Sequence, residues 1–343
     1  MDINLFDFPL PEELIAQKPT DKRDHSRLLA INYGEKTLRD EHFYEIIKYF
    51  HKGDVLVRNN TKVIPARLLG IKEITGAHCE LLLLKQVIND DWECLCRPAK
   101  SLKIGSRVIF GNGELVAECI EKRDEGLRVF RFIYQGIFLE VLDKLGKMPL
   151  PPYIKKQITT NDRYQTVYAK LEGSAAAPTA GFHFTDDIFE ELKKIGVQIV
   201  DITLHIGLGT FRPVQVTDTK DHLMHSELYE ISESSSVILN AAKESKKRII
   251  AVGTTTVRTL EANYSKYGIF KPTRESTNIF IQPGYKFKVV DALVTNFHLP
   301  KSTLLMLVSA FMDRDFALLA YQHAVDKKYR FFSFGDAMFI YGK

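Results

Sequence analysis

Short apolar runs with alternating polar positions fill the chain between Asp54 and Tyr134. Stretches such as "HCELLLLKQV", "DWECLCRP" and "LRVFRFIY" are separated by turn signals such as "NDD" and "GNG". Several strands at this spacing, joined only by tight connections, are typical of an antiparallel barrel or sandwich. The proline-rich "MPLPPYI" that follows fits neither a helix nor a strand, which indicates a stiff connector after this β-rich region.

Helices and strands alternate after Pro152. Thr185 is a candidate N-cap for a helix in "DDIFEELKKIG", whose first turn is acidic and which ends at Gly196. The strand "VQIVDITLHIG" follows, and later the strand "RIIAVGT" leads directly into the helix "TTVRTLEANY". This alternation predicts a parallel or mixed sheet covered by helices.

The first residues complete the α/β part of the chain. The strand "RLLAINY" and the helix "FYEIIKYF" precede the β-rich region, so the α/β domain is discontinuous. We predict an α/β domain formed by residues 1–60 and 151–343, with an antiparallel β-barrel domain inserted at residues 61–150.

Composition narrows the class of protein only modestly. The 343 residues are 45% hydrophobic, which is enough for one large or two moderate domains. A net charge of +4 favours a polyanionic partner only weakly. The acidic start lacks the pattern of a signal peptide and no apolar run reaches about 20 residues, so we expect a cytoplasmic protein. The four cysteines include no C-x-x-C pair, which favours buried, reduced thiols over disulfides or a zinc site.

Polar motifs close the predicted strands of the α/β part. They are "TLHIGLGTF", "GTTTVR", "TNFHLPKST" and "SFGDAMF". Because ligands bind at the carboxyl ends of strands in α/β sheets, we expect these motifs to converge on one rim.

Two of these motifs allow more than one interpretation. Gly207 and Gly209 in "HIGLGT" fit a tight turn better than a cofactor loop, since the third glycine of a dinucleotide fingerprint is missing. In "GTTTVR" a strand runs straight into a helix, which leaves backbone N–H groups free for a carboxylate or phosphate, with Arg258 as a bidentate partner. A simple helix cap plus a surface arginine is the alternative for this motif.

Histidines recur in or beside these motifs, at His183, His205, His225 and His298. One such histidine alone is more often structural, but four at predicted strand ends favour a site. His222, His225 and Glu227 lie close together in "DHLMHSE" without the spacing of a metal-ligand set, so we expect no metal.

Taken together, the motifs resemble the S-adenosylmethionine:tRNA ribosyltransferase-isomerase family of queuosine biosynthesis. The matching stretches include "GDVLVRNNTKVIPARL", "KMPLPPYI", "AAPTAGFHF", "TLHIGLGTFRPV", "HLMHSE", "IIAVGTTTVRTLE", "VVDALVTNFHLPKSTLLMLVSAF" and "YRFFSFGDAMFI". They span most of the chain. Phe182 and Gln282 depart from the pattern, where leucine and tyrosine are expected.

The resemblance implies a fold and a reaction. The fold is an α/β-barrel-like catalytic domain with an inserted β-barrel. The reaction transfers the ribosyl part of S-adenosylmethionine to 7-aminomethyl-7-deazaguanine at the wobble position of tRNA and isomerises it. The products are epoxyqueuosine in tRNA, adenine and methionine. S-adenosylmethionine is thus a consumed co-substrate, and we expect no other cofactor and a monomeric enzyme.

That reaction assigns tasks to the motif residues. His183, His205 and His225 are expected to include the base that removes a proton beside the sulfonium and the acid that protonates adenine. Glu227 and Asp336 are candidates for accepting the paired N–H groups of the deazaguanine edge. The expected substrate-binding residues are Pro178, Thr179, Gly181, Gly207, Gly209, Thr210, Thr254, Thr255, Arg258, His298, Ser302 and Thr303.

Binding of tRNA requires contacts to phosphates and to a base displaced from the anticodon loop. The candidates for these contacts are Arg23, Arg27, Arg58, Asn59, Asn60 and Arg67, with ordinary surface solubility as the alternative. The β-barrel is a second candidate surface. Two other functions remain open: an RNA methyltransferase, which would need an early glycine-rich loop that the chain lacks, and a non-catalytic RNA-binding protein.

Overall fold

The structure is a computed structural model that describes residues 1–123, 126–155, 161–207 and 216–342. The strands are β1 (Arg27–Asn32), β2 (Thr37–His42), β3 (Val55–Asn59), β4 (Thr61–Val63), β5 (Arg67–Lys72), β6 (His78–Ile88), β7 (Asp91–Arg97), β8 (Arg107–Phe110), β9 (Leu115–Lys122), β10 (Leu127–Tyr134), β11 (Leu171–Ser174), β12 (Gln198–Leu204), β13 (Glu227–Ile231), β14 (Ile249–Val252), β15 (Thr273–Thr277), β16 (Ala292–Asn296) and β17 (Ala337–Tyr341). The helices are α1 (Phe138–Leu145), α2 (Asp186–Ile195), α3 (Glu233–Glu244), α4 (Thr254–Tyr267), α5 (Thr303–Met312) and α6 (Arg314–Asp326).

A nine-stranded mixed sheet forms the larger part of the fold, in the order β15-β13-β12-β3-β14-β16-β17-β1-β2. The central strands β12, β3, β14 and β16 are parallel. Strand β17 is antiparallel to β16 and parallel to β1, and β13 is antiparallel to β12. The sheet is covered on both faces by separate apolar cores, as the alternation of strands and helices predicts.

The strand directions bring chain segments from very different positions to one rim. Asn296 at the end of β16 lies opposite Ala337 at the start of β17, which in turn lies opposite Leu28 in β1. Leu204 at the end of β12 lies opposite Tyr229 near the start of β13. The rim therefore collects the ends of four parallel strands and the beginnings of β1, β13 and β17.

This geometry corrects one expectation. The sequence analysis places "SFGDAMF" at the end of the last strand, but Ser333 to Asp336 precede β17, which begins at Ala337. Because β17 runs against β16, its beginning lies at the expected rim all the same.

Strands β5 to β10 form a closed six-stranded antiparallel barrel, in the order β10-β7-β6-β5-β8-β9. The four cysteines are free and buried, and burial raises the pKa of the Cys94 thiol.

The predicted fold class, α/β with an inserted antiparallel β-barrel, is confirmed. The domain boundaries at residues 60/61 and 150/151 stay predictions.

Local capping follows the sequence closely. The Thr185 side chain accepts a hydrogen bond from the Ile188 backbone N–H at 3.3 Å, and α2 ends at Gly196 in the left-handed conformation, with φ of 93°. The segment "FYEIIKYF" forms a 3₁₀ helix, Phe43–Tyr49.

Within the described residues, no helix has the length and apolar content to cross a membrane.

Candidate functional site

A cleft opens at the rim and encloses about 720 Å³ of space, part of which is open to solvent. Its lining consists of Tyr153, Ala177, Pro178, Thr179, Ala180, Ile206, Gly253, Thr254, Thr255, Thr295, Asn296, Phe297, His298, Leu299, Ser302, Leu304, Phe332 and Ser333. Six predicted substrate-binding residues are among them: Pro178, Thr179, Thr254, Thr255, His298 and Ser302.

The amino end of α4 forms one wall of the cleft. The helix begins at Thr254 and Gly253 precedes it with φ of 86°, a conformation that favours glycine. Within the part of the chain that the structure describes, no side chain caps this end, whereas Thr185, Ser232, Ser302 and Asp313 cap α2, α3, α5 and α6. Free backbone N–H groups and the helix dipole make this wall suitable for an anionic group.

Small side chains form the adjoining wall. A Cβ added to Gly253 would lie 3.6 Å from the Cβ of Ala180, so the two segments approach closely. Gly181 does not line the cleft and packs against the Tyr168 ring and Thr166. Thr303 lies outside the lining as the first residue of α5.

His298 is the histidine that lines the cleft. Its Nε2 lies 2.8 Å from the Thr295 hydroxyl, and its backbone N–H donates to the Tyr321 hydroxyl at 3.0 Å. Within the described part of the chain, no hydrogen bond involves its Nδ1. Burial lowers the pKa of His298 to about 3, so the imidazole is neutral near pH 7.

His183 does not line the cleft but lines a narrow neighbouring pocket, with 3% of its surface exposed. Its Nδ1 is 2.7 Å from the Ser26 hydroxyl and its Nε2 is 3.2 Å from the Asn296 amide, while its ring stacks on Phe43. Thr179 donates to the Asn296 side chain at 3.4 Å. His183 thus links Ser26, just before β1, to the end of β16 and to the 3₁₀ helix Thr179–His183, and both of its ring nitrogens are engaged.

Lowering the pH from 7 to about 5.5 is expected to reduce the free energy of unfolding by about 1 kcal/mol through His183 alone. Burial and then the nearby Arg330 and Arg23 lower its folded pKa to about 3, whereas an unfolded histidine titrates near 6.5. The unfolded chain therefore binds the extra proton in this window. The stability is complete above about pH 6.5 and is lost progressively as the pH falls toward 3.

Urea unfolding at several pH values measures this effect. The variant His183→Gln should be less stable at pH 7 but should show a flatter pH dependence than the native chain. Equal slopes in the two proteins would contradict the assignment.

The other two predicted proton-transfer histidines lie outside the cleft lining. The Nδ1 of His205 lies 2.8 Å from the Thr61 hydroxyl, and its ring packs on Gly173. Burial, and then Arg274, lower the pKa of His205 to about 4. His225 is exposed, and its carbonyl accepts a hydrogen bond from Arg258 at 3.5 Å.

Glu227 and Arg258 form a buried ion pair with each other. The sequence predicts separate partners for them: the deazaguanine edge for Glu227 and an anionic group for Arg258. Glu227 also accepts the Gly207 backbone N–H at 3.2 Å. In this arrangement the charge of each residue is compensated inside the protein, and neither lines the cleft.

Asp336 is also engaged internally. It accepts the backbone N–H groups of Arg27 and Arg330 at 3.0 and 2.8 Å and is 2% exposed. The carboxylate joins the start of β1 to the loop before β17, and its expected role at the deazaguanine edge stays a prediction. Gly209 and Thr210 lie outside the described residues.

Several predicted tRNA-binding residues are committed to internal contacts. Asn59 is fully buried and its amide donates to the Leu204 carbonyl at 3.0 Å, which corrects its expected contact with phosphates. Asn60 is buried and accepts from Thr203.

The arginines of this set differ in their surroundings. Arg58 pairs with Asp201 at 2.7 Å and Arg67 with Glu80 at 2.8 Å. Arg27 lies over the Tyr329 ring, and Arg23 donates a hydrogen bond to the Phe182 carbonyl at 3.3 Å.

Sequence reasoning missed part of the cleft. The hydroxyl groups of Tyr153 and Ser333 lie 2.6 Å apart on its wall, and Tyr153 packs against Phe332 with ring centroids 4.8 Å apart. Asn296 and Thr295 come from the end of β16. These residues could have been found from their positions, since "PPYI", "VTNFH" and "FFSFGD" all lie within the motifs shared with the family.

A metal centre is not evident in the described ranges, where no group of three or more His, Cys, Asp or Glu side chains is arranged to hold an ion.

Comparisons with known proteins agree with the resemblance seen in the sequence. The model of a family described as "Queuosine biosynthesis protein" matches residues 3–340. The crystal structure of an S-adenosylmethionine tRNA ribosyltransferase from Thermotoga maritima is similar to this chain at 38% sequence identity. The match covers 98% of this chain and 99% of that chain, with a TM-score of 0.58.

Proposed function

The chain belongs to the queuosine biosynthesis protein family, and on that basis we propose that it is an S-adenosylmethionine:tRNA ribosyltransferase-isomerase. It transfers the ribosyl part of S-adenosylmethionine to 7-aminomethyl-7-deazaguanine at the wobble position of tRNA. The ribosyl unit is isomerised to give epoxyqueuosine, and adenine and methionine leave. The proposal includes no metal ion and places the enzyme in the cytoplasm.

The uncapped amino end of α4 in the cleft carries this proposal. The methionine part of S-adenosylmethionine ends in a carboxylate, and the free N–H groups at Thr254 and Thr255 favour an anion there. The wall of Tyr153 and Phe332 offers an apolar surface for a purine ring. The small side chains around Ala180 leave room for the ribose close to the backbone.

His298 is the candidate for the proton transfer in this cleft. A base must remove a proton from the carbon next to the sulfonium, and departing adenine must gain one. The neutral imidazole can accept the first proton, and the protonated ring can donate the second. His298 therefore takes the base role that the sequence analysis assigned among His183, His205 and His225.

One assay tests the proposed reaction. The protein is mixed with S-adenosylmethionine and tRNA that carries the aminomethyl-deazaguanine base, and the small-molecule products are separated. Equal amounts of free adenine and methionine support the proposal. Formation of S-adenosylhomocysteine would indicate methyl transfer instead, and binding without turnover would indicate a non-catalytic RNA-binding protein.

The substitution Thr254→Asp is expected to raise the KM for S-adenosylmethionine by about tenfold, which corresponds to ~1.4 kcal/mol of lost binding. The new carboxylate occupies the anion position at the start of α4 and repels the substrate carboxylate. An acidic residue in the first turn stabilises a helix by ~0.3–1 kcal/mol, so the fold is expected to survive.

Steady-state adenine release at varied S-adenosylmethionine measures the change. Thr254→Ser is the matched control, because it keeps the hydroxyl without adding charge, and its KM should stay close to that of the native protein. A Thr254→Asp variant with an unchanged KM would place the carboxylate elsewhere in the cleft.

A further inference from the structure

Positive charge is concentrated in two short segments beside the cleft. Residues 18–27 and 327–336 together contain seven lysines and arginines but three carboxylates, Asp21, Asp24 and the buried Asp336. This excess of four equals the net charge of the whole 343-residue chain. The rest of the molecule is therefore close to neutral, and we call these two segments together the amino-terminal basic face.

The two segments form one surface because side chains tie them together. Arg27 donates to the Lys327 carbonyl at 2.7 Å, and Arg330 donates to the Lys18 carbonyl at 3.4 Å. Arg163 joins the face by donating to the carbonyls of Thr20 and Asp21.

The exposed cations of this face are available to a partner. Lys18, Lys22, Lys327 and Lys328 are exposed, and none of them has a carboxylate partner in the part of the chain that the structure describes. Unpaired, solvated lysines of this kind neutralise phosphates at little desolvation cost.

The face continues directly into the cleft. A narrow pocket beside this face is lined by Pro19, Thr20, Arg23, Arg163, Phe182, His183, Ser333, Phe334 and Gly335. Ser333 also lines the substrate cleft, so the pocket and the cleft adjoin at this residue. A nucleotide whose base enters the cleft would therefore have its own phosphate, or the next one, near the two guanidinium groups.

The barrel lacks a comparable excess of charge. Residues 67–134 contain eleven lysines and arginines and ten carboxylates. The barrel arginines Arg67, Arg107, Arg123 and Arg131 each pair with a carboxylate at 2.5 to 3.2 Å. An anionic strand gains less from such a surface, because its phosphates must compete with protein carboxylates.

From this contrast we propose that the amino-terminal basic face is the docking surface for the phosphate backbone of the RNA substrate. The pocket between Arg23 and Arg163 holds the phosphate next to the base that enters the cleft. The inference rests on the proposed function for the identity of the RNA, a tRNA anticodon arm. It favours this face over the barrel, which the sequence offered as a second candidate surface.

The test compares two triple variants that remove the same number of exposed lysines. The first is Lys18→Ala/Lys22→Ala/Lys328→Ala on the basic face, and the matched control is Lys85→Ala/Lys100→Ala/Lys103→Ala on the barrel. Affinity for the substrate tRNA is measured by fluorescence anisotropy over a range of salt concentrations. S-adenosylmethionine affinity and thermal unfolding show that each variant is folded.

The basic-face variant is expected to bind tRNA at least about tenfold more weakly at low salt. The slope of log affinity against log salt should fall by about 2, since each lost phosphate contact removes ~0.7 to 0.9 from it. Adenine release at saturating tRNA should stay near the native rate, and the barrel control should bind like the native protein. Native affinity and slope in the basic-face variant, or their loss only in the barrel variant, would overturn the proposal.

These outcomes are separate from those of the proposed reaction. If the native protein binds tRNA through the basic face but releases no adenine, the proposed reaction fails and the docking surface stands. If the native protein releases adenine and the basic-face variant binds tRNA normally, the reaction stands and the docking surface fails.

Discussion

Replacement of His298 by alanine is expected to slow adenine release in a single turnover by a factor of about 10²–10⁴, the range that a positioned proton-transfer group contributes. His298 lines the cleft together with Thr254 and Thr255, where we place the methionine carboxylate. Its Nε2 is held at 2.8 Å from the Thr295 hydroxyl, which orients the ring and leaves Nδ1 for the substrate. Because burial lowers its pKa to about 3, the rate should show no loss from protonation of this residue down to about pH 5.

The matched control is His205→Ala. His205 is also partly buried and also hydrogen-bonds to a threonine through a ring nitrogen, but it lies outside the cleft lining. Its replacement should change single-turnover adenine release by only a few fold. The binding affinity for S-adenosylmethionine, measured in parallel, shows whether each variant keeps an intact cleft. A slow His205→Ala together with a fast His298→Ala would transfer the base role to His205.

Replacement of Glu227 by alanine is expected to reduce the free energy of unfolding by ~3–5 kcal/mol, because it leaves the buried Arg258 guanidinium without a counter-charge. Glu227 is 4% exposed and Arg258 is 6% exposed. Among the described residues, the other partners of Arg258 are the carbonyls of Ile279 and His225, at 3.4 and 3.5 Å, which do not neutralise it. Urea unfolding at pH 7 measures the change.

Two further variants separate the effect of the Glu227–Arg258 ion pair from the general cost of losing a carboxylate. The double variant Glu227→Leu/Arg258→Met replaces both charges by apolar side chains and should recover most of the lost stability. The exposed pair of Glu190 and Lys193 has a similar bond at 2.7 Å, and Glu190→Ala should cost less than ~1 kcal/mol. A small loss in Glu227→Ala, or a double variant that is less stable than both single variants, would contradict a buried and mutually compensated pair.

The chain pattern was a good guide to the elements and to the rim. Strand β14 and helix α4 follow the quoted motif closely, and the caps at Thr185 and Gly196 lie where local chemistry predicts them. These features depend on neighbouring residues in the chain, so periodicity and capping preferences are enough to find them. The motif "GTTTVR" was correctly expected to leave free N–H groups.

The roles of charged residues were harder to predict. Asp336 and Glu227 are both acidic residues in motif cores, yet one accepts backbone N–H groups and the other pairs with Arg258. The sequence predicts Asn59 as a phosphate contact, whereas in the structure its side-chain amide holds β12 against β3. A buried polar group needs partners, and those partners come from distant parts of the chain that the local sequence does not identify.

By itself, the sequence determined the α/β part and the antiparallel β-rich part of the chain, the family, and the motifs that meet at one rim. These features depend on local periodicity and on the order of the motifs along the chain. Only the tertiary structure decided that His298 rather than His183 lines the cleft, since His183 is turned toward Ser26 and Asn296 by strands from opposite ends of the chain. It also decided that β17 runs against β16, which brings Ser333 to the rim, and that residues 18–27 and 327–336 form one basic face. The physical reason is the same in each case: strand direction and buried pairing are fixed by contacts between residues far apart in the chain.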